Sequence, residues 1–395
     1  MKTTYLLLCL LGIGSVSGAG QTKQPQKIGD FIESTSYNEH RRNATRSLQY
    51  TPDGDDFVCI NGKNRFTRAL YGSHTAFRLE TSDRPVFAAY TKENPKHICF
   101  KLQTSGGTVA LDSTEHCESR YTAGRRSYSL SDPAFGGGSL SITTWALPDK
   151  EGAIWQFNAR NFKEFHPVLL ASISEIRNSK LNRNGDMGAD PADSFEAPLQ
   201  PQQLQSFPVQ IDGTLYILLE NQELRTLTTA EGENLFKKAE AARSETASRI
   251  RIETPDPYFN TLGGTLAMAA DGIWDGEVWL HGAIGWRMPL SGWRAAYTGD
   301  VLGWHDRART HFNAYAASQV TEVPNTLPHP AQDSALHLAR SVKKWGTPQY
   351  SNGYICRNPH RNNQMHHYDM NLCYIDELLR SEEHTSELQS RITIS

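Results

Sequence analysis

The stretch from His281 to Arg307, HGAIGWRMPLSGWRAAYTGDVLGWHDR, gathers Trp286, Trp293 and Trp304, Arg287, Arg294 and Arg307, His281 and His305, and the carboxylates Asp300 and Asp306. A sugar presents apolar C–H patches ringed by hydroxyls, so a site for one needs aromatic faces beside hydrogen-bonding heads and acids. The three tryptophans supply faces for stacking, and the three arginines supply planar forks that clamp hydroxyls or carboxylates. The alternative for the same residues is a Trp-rich core strip whose charges face water.

Hydrolysis of a glycosidic bond commonly uses two carboxyl groups, one to protonate the leaving oxygen and one to activate water or attack the anomeric carbon. Asp306, between His305 and Arg307, is the first candidate; Asp369, after His366-His367-Tyr368, is the second; Asp300 is the third, with a helix N-cap as its structural alternative. The substrate-binding candidates are Trp286, Trp293, Arg294, Trp304, His305, Arg307, His366 and His367. A competing chemistry is proton abstraction next to a uronate carboxylate, for which Tyr350, Tyr354, Tyr368, His360, His366 and His367 are available. No metal is expected, because the adjacent His366 and His367 diverge by about 100° on a helix. No cofactor is expected either: the chain has no Gly-rich nucleotide loop and no G-x-S-x-G elbow.

The 395 residues are enough for two domains at roughly 150 residues each. The net charge of −3 and the scattered Lys and Arg exclude a nucleic-acid footprint. Lys2, the apolar run Tyr5 to Leu11 and the small residues ending at Ala19 predict a signal peptide over 1–19, hence export and no membrane span after cleavage. Five cysteines then remain, an odd and widely spaced set; Cys99 and Cys117 are the pair to expect if any forms. Asn43-Ala44-Thr45 matches a glycosylation sequon, and the loop Asn182 to Asp193 faintly resembles a calcium loop but lacks the terminal Glu.

Residues 20–46 form a polar leader. Over 47–230, short β-branched runs separated by turn residues predict a large antiparallel β-sandwich, with strands at Phe57–Ile60, Val86–Tyr90, Ile98–Leu102, Thr108–Leu111, Ser139–Leu147, Ile154–Asn161, Val168–Ser174 and Thr214–Leu219. The Ala/Glu/Lys/Arg-rich segment 231–253 predicts a solvent-facing linker helix. Asp256 and Pro257 then cap and start a buried helix. A further helix is expected from Gly299-Asp300, a third over Ser334–Trp345, and a fourth over Gln364–Leu379 that buries Met365, Tyr368, Leu372, Ile375 and Leu379.

In this arrangement the chain resembles secreted bacterial six-hairpin glycosidase-like proteins, in which a β-supersandwich is joined by a linker helix to an (α/α)6 toroid. The resemblance rests on PDPYFN (255–260), HGAIGWRMPLSGWR (281–294), GDVLGWHDR (299–307), QYSNGYICR (349–357) and NNQMHHYDMNLCYIDELLR (362–380). It implies a glycoside hydrolase acting on a plant or host polysaccharide or oligosaccharide, with a toroidal lyase or a non-catalytic glycan-binding protein as alternatives. It also implies that 254–379 is only the N-terminal part of a toroid, inactive alone, with apolar helix faces left open to water. The segment RSEEHTSELQS at 380–390 resembles the in-frame translation of a sequencing adapter, so 380–395 is expected to be non-native.

Overall fold

The computed structural model describes residues 50–63, 68–90, 96–162, 167–175, 203–209, 213–282, 298–319 and 371–381, with a few runs of one to three residues between 289 and 360. All belong to one unit, Gln49–Ser395. The expected signal peptide, leader, sequon and 182–193 loop lie outside the described residues, as does the tail beyond 381; of the expected third helix over Ser334–Trp345 only Leu338–Ala339 is described, and it is a two-residue strand paired antiparallel with Gln332–Asp333, not helix.

Fifteen strands build two antiparallel sheets: β1 (Thr51–Asp53), β2 (Asp56–Ile60), β3 (Arg68–Leu70), β4 (Arg78–Thr81), β5 (Val86–Tyr90), β6 (Lys96–Thr104), β7 (Gly107–Ala110), β8 (His116–Thr122), β9 (Arg125–Ser131), β10 (Ser139–Ala146), β11 (Gly152–Arg160), β12 (Val168–Glu175), β13 (Gln203–Pro208), β14 (Thr214–Glu220) and β15 (Glu223–Leu227). One sheet has the order β1-β2-β8-β9-β10-β11-β14-β15; the other runs β13-β12-β6-β5-β4-β3, with β7 also on β6. Their inner faces meet over Phe87, Phe100, Tyr128, Trp155 and Phe157, whose rings pack edge to face at 5.0–6.0 Å. Each of the eight expected strands has its counterpart in this set, three of them ending one residue earlier than expected, at Ala110, Ala146 and Arg160. The conspicuous additions, β8 and β9, read HCESRYT and RRSYSLS and turn Ser119 and Arg126 into the core. Arg126 is accommodated because the Ser82 carbonyl accepts from its Nε and Nη2, and Nη2 also donates to the Tyr50 hydroxyl.

The linker helix, α1 (Thr229–Ala247), begins two residues earlier than expected because Thr228 and Glu231 form a reciprocal capping box. It is not simply solvent-facing. Leu235, Phe236 and Ala239 cover the outer face of the eight-stranded sheet at Trp145, Ile154, Tyr216 and Leu218. Phe236 lies 4.2 Å from the Trp145 ring, and the Trp145 indole donates to Glu240. Cys99 and Cys117 stand in different sheets, and both are free thiols.

The helical part comprises α2 (Pro257–Gly272), α3 (Thr298–Val301), α4 (His305–Ala316) and α5 (371–381). Asp256 caps α2 through the Tyr258 N–H, as the sequence predicts. Arg78 joins this part to the sandwich: its guanidinium donates to the carbonyls of Thr75, Phe77 and Gly272 and sits 4.8 Å from the Tyr71 ring. A second apolar cluster unites Trp274, Trp279, Leu302, Trp304, Phe312, Tyr315 and Tyr374.

The buried face of α5 corrects the sequence expectation. Leu372 (70 %), Ile375 (53 %) and Leu379 (53 %) are exposed, while Asn371, Tyr374 and Glu377 are buried. Polar anchors select that face: the Asn371 amide brackets the backbone of Ile355 at 2.7 and 3.1 Å, and the Tyr374 hydroxyl donates to the Phe312 carbonyl at 2.8 Å. Among the described residues, no helix is long and apolar enough to cross a membrane.

Candidate functional site

The chemistry-bearing side chains meet where α2 ends and α4 begins. Asp271, in the last turn of α2, is a carboxylate in an otherwise apolar run and is buried. It accepts from Arg307 Nη1 at 2.7 Å and lies 3.3 Å from His74 Nε2, which the sandwich loop after β3 presents. Burial alone would raise the Asp271 pKa; the His74 and Arg307 hydrogen bonds and the Arg307 charge outweigh it and hold the carboxyl below its ordinary range. Arg307 in turn lies over the Trp304 ring at 4.2 Å and near Trp274 at 5.7 Å, while Arg249 approaches Trp304 at 5.2 Å.

The second acid–base contact is within the α3–α4 turn. His305 Nδ1 lies 2.9 Å from Asp300 Oδ1, with the Asp300 side chain 3 % exposed and the imidazole 39 % exposed. Asp300 Oδ2 is buried with no hydrogen-bond partner. Local sequence forces this turn. Gly299 must lack a side chain because a Cβ would run into the Trp279 ring, and Gly303 adopts φ 73°. The Thr298, Gly299 and Asp300 carbonyls accept from the N–H groups of Leu302, Trp304 and Gly303, and the Leu302 carbonyl accepts from Arg249. Asp300 is therefore not a helix N-cap: it lies inside α3, and Trp304 takes the cap position of α4 without a side-chain bond.

The remaining candidates separate. Asp306 points into solvent, 96 % exposed, with Arg309 at 3.4 Å, so the structure does not bring it to the carboxylates Asp271 and Asp300. Trp304 is in the core and serves as a platform for guanidinium groups. Trp286, Trp293, Arg294, His366, His367 and Asp369 lie outside the described residues. Burial pushes the His281 imidazole below its usual range. Sequence reasoning missed Asp271, His74 and Arg249; a lone acid at the end of the apolar run Leu262 to Ala270 was the available signal for the first. Among the described residues, no three His, Cys, Asp or Glu side chains converge as a metal site would require.

One expected result follows from the depressed Asp271 pKa. A carboxylate depressed on folding stabilises the protein above its unfolded pKa, and that contribution is lost as pH falls through the folded value. Asp271→Asn is expected to cost about 1–3 kcal/mol at pH 7 and progressively less in acid below about pH 4. Urea midpoints at pH 3 to 7 check this, and a penalty that does not shrink in acid counts against it.

Fold and site together define a two-sheet antiparallel β-sandwich with a packed linker helix, followed by a helical part with paired acid–base contacts at its helix ends. Residues 95–249, from β6 through α1, match the family described as a domain of unknown function, DUF4450. No curated protein matches the chain.

Proposed function

We propose that this chain is an exported, periplasmic or extracellular, carbohydrate-active protein of the glycoside hydrolase type. Its helical residues belong to the N-terminal part of an (α/α)6 toroid, which when complete acts on a plant or host polysaccharide or oligosaccharide; the part present here is inactive alone. The observation that carries this reading is the cluster of guanidinium, imidazole and carboxylate groups around Trp304, with Asp271–Arg307–His74 on one side and Asp300–His305 in the adjoining turn. Hydroxyl-rich ligands are bound by such preoriented donors and acceptors, and bond cleavage needs groups that exchange protons. Trp293, on the same sequence stretch, supplies the stacking face. A second reading, a polysaccharide lyase, is favoured by Asp300–His305, because one oriented imidazole suffices for an elimination whereas hydrolysis commonly uses two carboxyls.

The test is direct binding to an array of plant and host glycans, followed by calorimetry, with products of the complete toroid scored for new reducing ends and for ultraviolet-absorbing unsaturated sugars. Trp293→Ala is expected to weaken binding roughly 10-fold or more, the worth of a lost stacking contact, with the fold intact by circular dichroism. Absence of binding to every glycan would sink the reading. Unchanged affinity in the Trp293 variant would remove that residue from it.

A further inference from the structure

We propose that the cleft where the sandwich, α1 and α2 meet is a binding site for one neutral pyranose residue, sharing Asp271 with the Trp304 face but walled by other elements; this rests on the reading of the chain as carbohydrate-active. The cleft is partly open to solvent and holds about 320 Å³ of empty space. Ligand pockets run from roughly 300 to 1,000 Å³, so this one suits a single small ring and not an oligosaccharide. All three parts build it: Tyr71 and Trp145 come from the sandwich, Ala242 and Thr246 from α1, and Met268 and Asp271 from α2. They close on the turn between β8 and β9, where Gly124 adopts φ 82° and a Cβ would collide with the Met268 methyl and the Arg243 stem.

The lining matches the two kinds of surface on a pyranose. Rings of Tyr71 and Trp145 with the side chains of Met268 and Ala242 offer apolar contact for its C–H patches. Asp271 spends Oδ1 on Arg307 and His74, and its Oδ2 makes no hydrogen bond among the described residues. Because those contacts hold the carboxyl below its ordinary range, at neutral pH it only accepts, which calls for a hydroxyl donor. The Thr246 hydroxyl, likewise unbonded among the described residues, adds a second point of contact on α1. The wall is fixed before a ligand arrives: the Glu240 carboxylate accepts from the Trp145 indole at 2.8 Å, from Arg243 at 2.6 and 2.9 Å and from Arg125 at 3.2 Å, and Arg243 also donates to the Ala123 carbonyl. Charge selects a neutral ligand. The guanidinium groups of Arg125, Arg243 and Arg307 outnumber the carboxylates of Glu240 and Asp271, which disfavours an amino sugar, while a uronate would meet the Asp271 carboxylate itself.

The experiment follows the methionine methyl signals of the full chain by carbon-13 NMR, with Met268 assigned through Met268→Leu, during titration with glucose, galactose, mannose and xylose and then with glucosamine and galacturonate. The expected result is a saturable shift of the Met268 methyl with at least one neutral sugar, at a Kd on the order of 1–10 mM for so small a ligand. The charged sugars are expected to bind at least about 10-fold more weakly. Ala242→Leu fills the cleft from a helix position that tolerates leucine and is expected to abolish the shift. Thr246→Val is expected to weaken binding about 3- to 10-fold, and it carries the comparison if Ala242→Leu does not fold. A Met268 methyl that no neutral sugar moves, or a shift that survives Ala242→Leu, overturns the site. Glucosamine or galacturonate binding as tightly as the neutral sugars overturns the assignment of the ligand. Glycan binding on the array with a silent Met268 methyl overturns the cleft and leaves the carbohydrate reading standing, whereas absence of binding to any glycan or sugar overturns both.

Discussion

Glu377→Gln is expected to make this protein more stable at pH 9 by on the order of 4 kcal/mol while changing little at pH 4.5. Glu377 lies on the buried face of α5, 3 % exposed, and its Oε2 has no hydrogen-bond partner. Burial, and secondarily the neighbouring Asp376, push its carboxyl up to about 8. An acid raised in the folded state keeps a proton that the unfolded chain releases, so its stability contribution is fully present below the unfolded pKa near 4.5 and is lost as pH rises to about 8. The glutamine keeps the shape without the charge, and its stability is expected to be flat across that window. Urea midpoints for both proteins from pH 4.5 to 9 decide it: parallel curves would refute the assignment.

Arg78→Met is expected to cost roughly 3–5 kcal/mol. The side chain is fully buried, and its guanidinium serves three carbonyls, those of Thr75 and Phe77 in its own loop and Gly272 at the end of α2. Methionine retains an apolar stem against Tyr71 but leaves those acceptors without their donor, which is the expensive case for a buried hydrogen-bonding group. The Gly272 bond ties α2 to the sandwich one residue from Asp271, so the variant is also expected to weaken the His74–Asp271 contact. Calorimetric or urea unfolding measures the first effect. A midpoint within about 0.5 kcal/mol of the parent would show that the latch does not hold the two parts together.

Much of the sandwich is legible from local chemistry. Alternating apolar residues mark strands such as β10 and β12, and short continuous apolar runs mark the more deeply buried β5 and β14, because a sheet face selects those patterns without reference to distant residues. Strands β8 and β9 are not legible, since what makes Arg126 an acceptable core residue is the Ser82 carbonyl, 44 positions away. The same limit applies to the site. The stretch His281 to Arg307 shows acids, imidazoles, arginines and indoles in the sequence, yet nothing in it says which acid meets which base.

What the sequence by itself determined is therefore the inventory, the opening of α2 at Asp256 and Pro257, and a Trp/Arg/Asp-rich strip between strand-rich and helix-rich halves; the single helix expected from Gly299-Asp300 is instead broken at Gly303 into α3 and α4. Only the tertiary structure decided that Asp300 faces His305, that Arg307 is bound to Asp271 and His74, that Asp306 faces water, and that α5 buries Glu377 instead of its leucines. The reason is physical. Helix periodicity fixes which residues share a face, but the free energy that chooses the buried face comes from partners such as Ile355 and Phe312, which satisfy Asn371 and Tyr374.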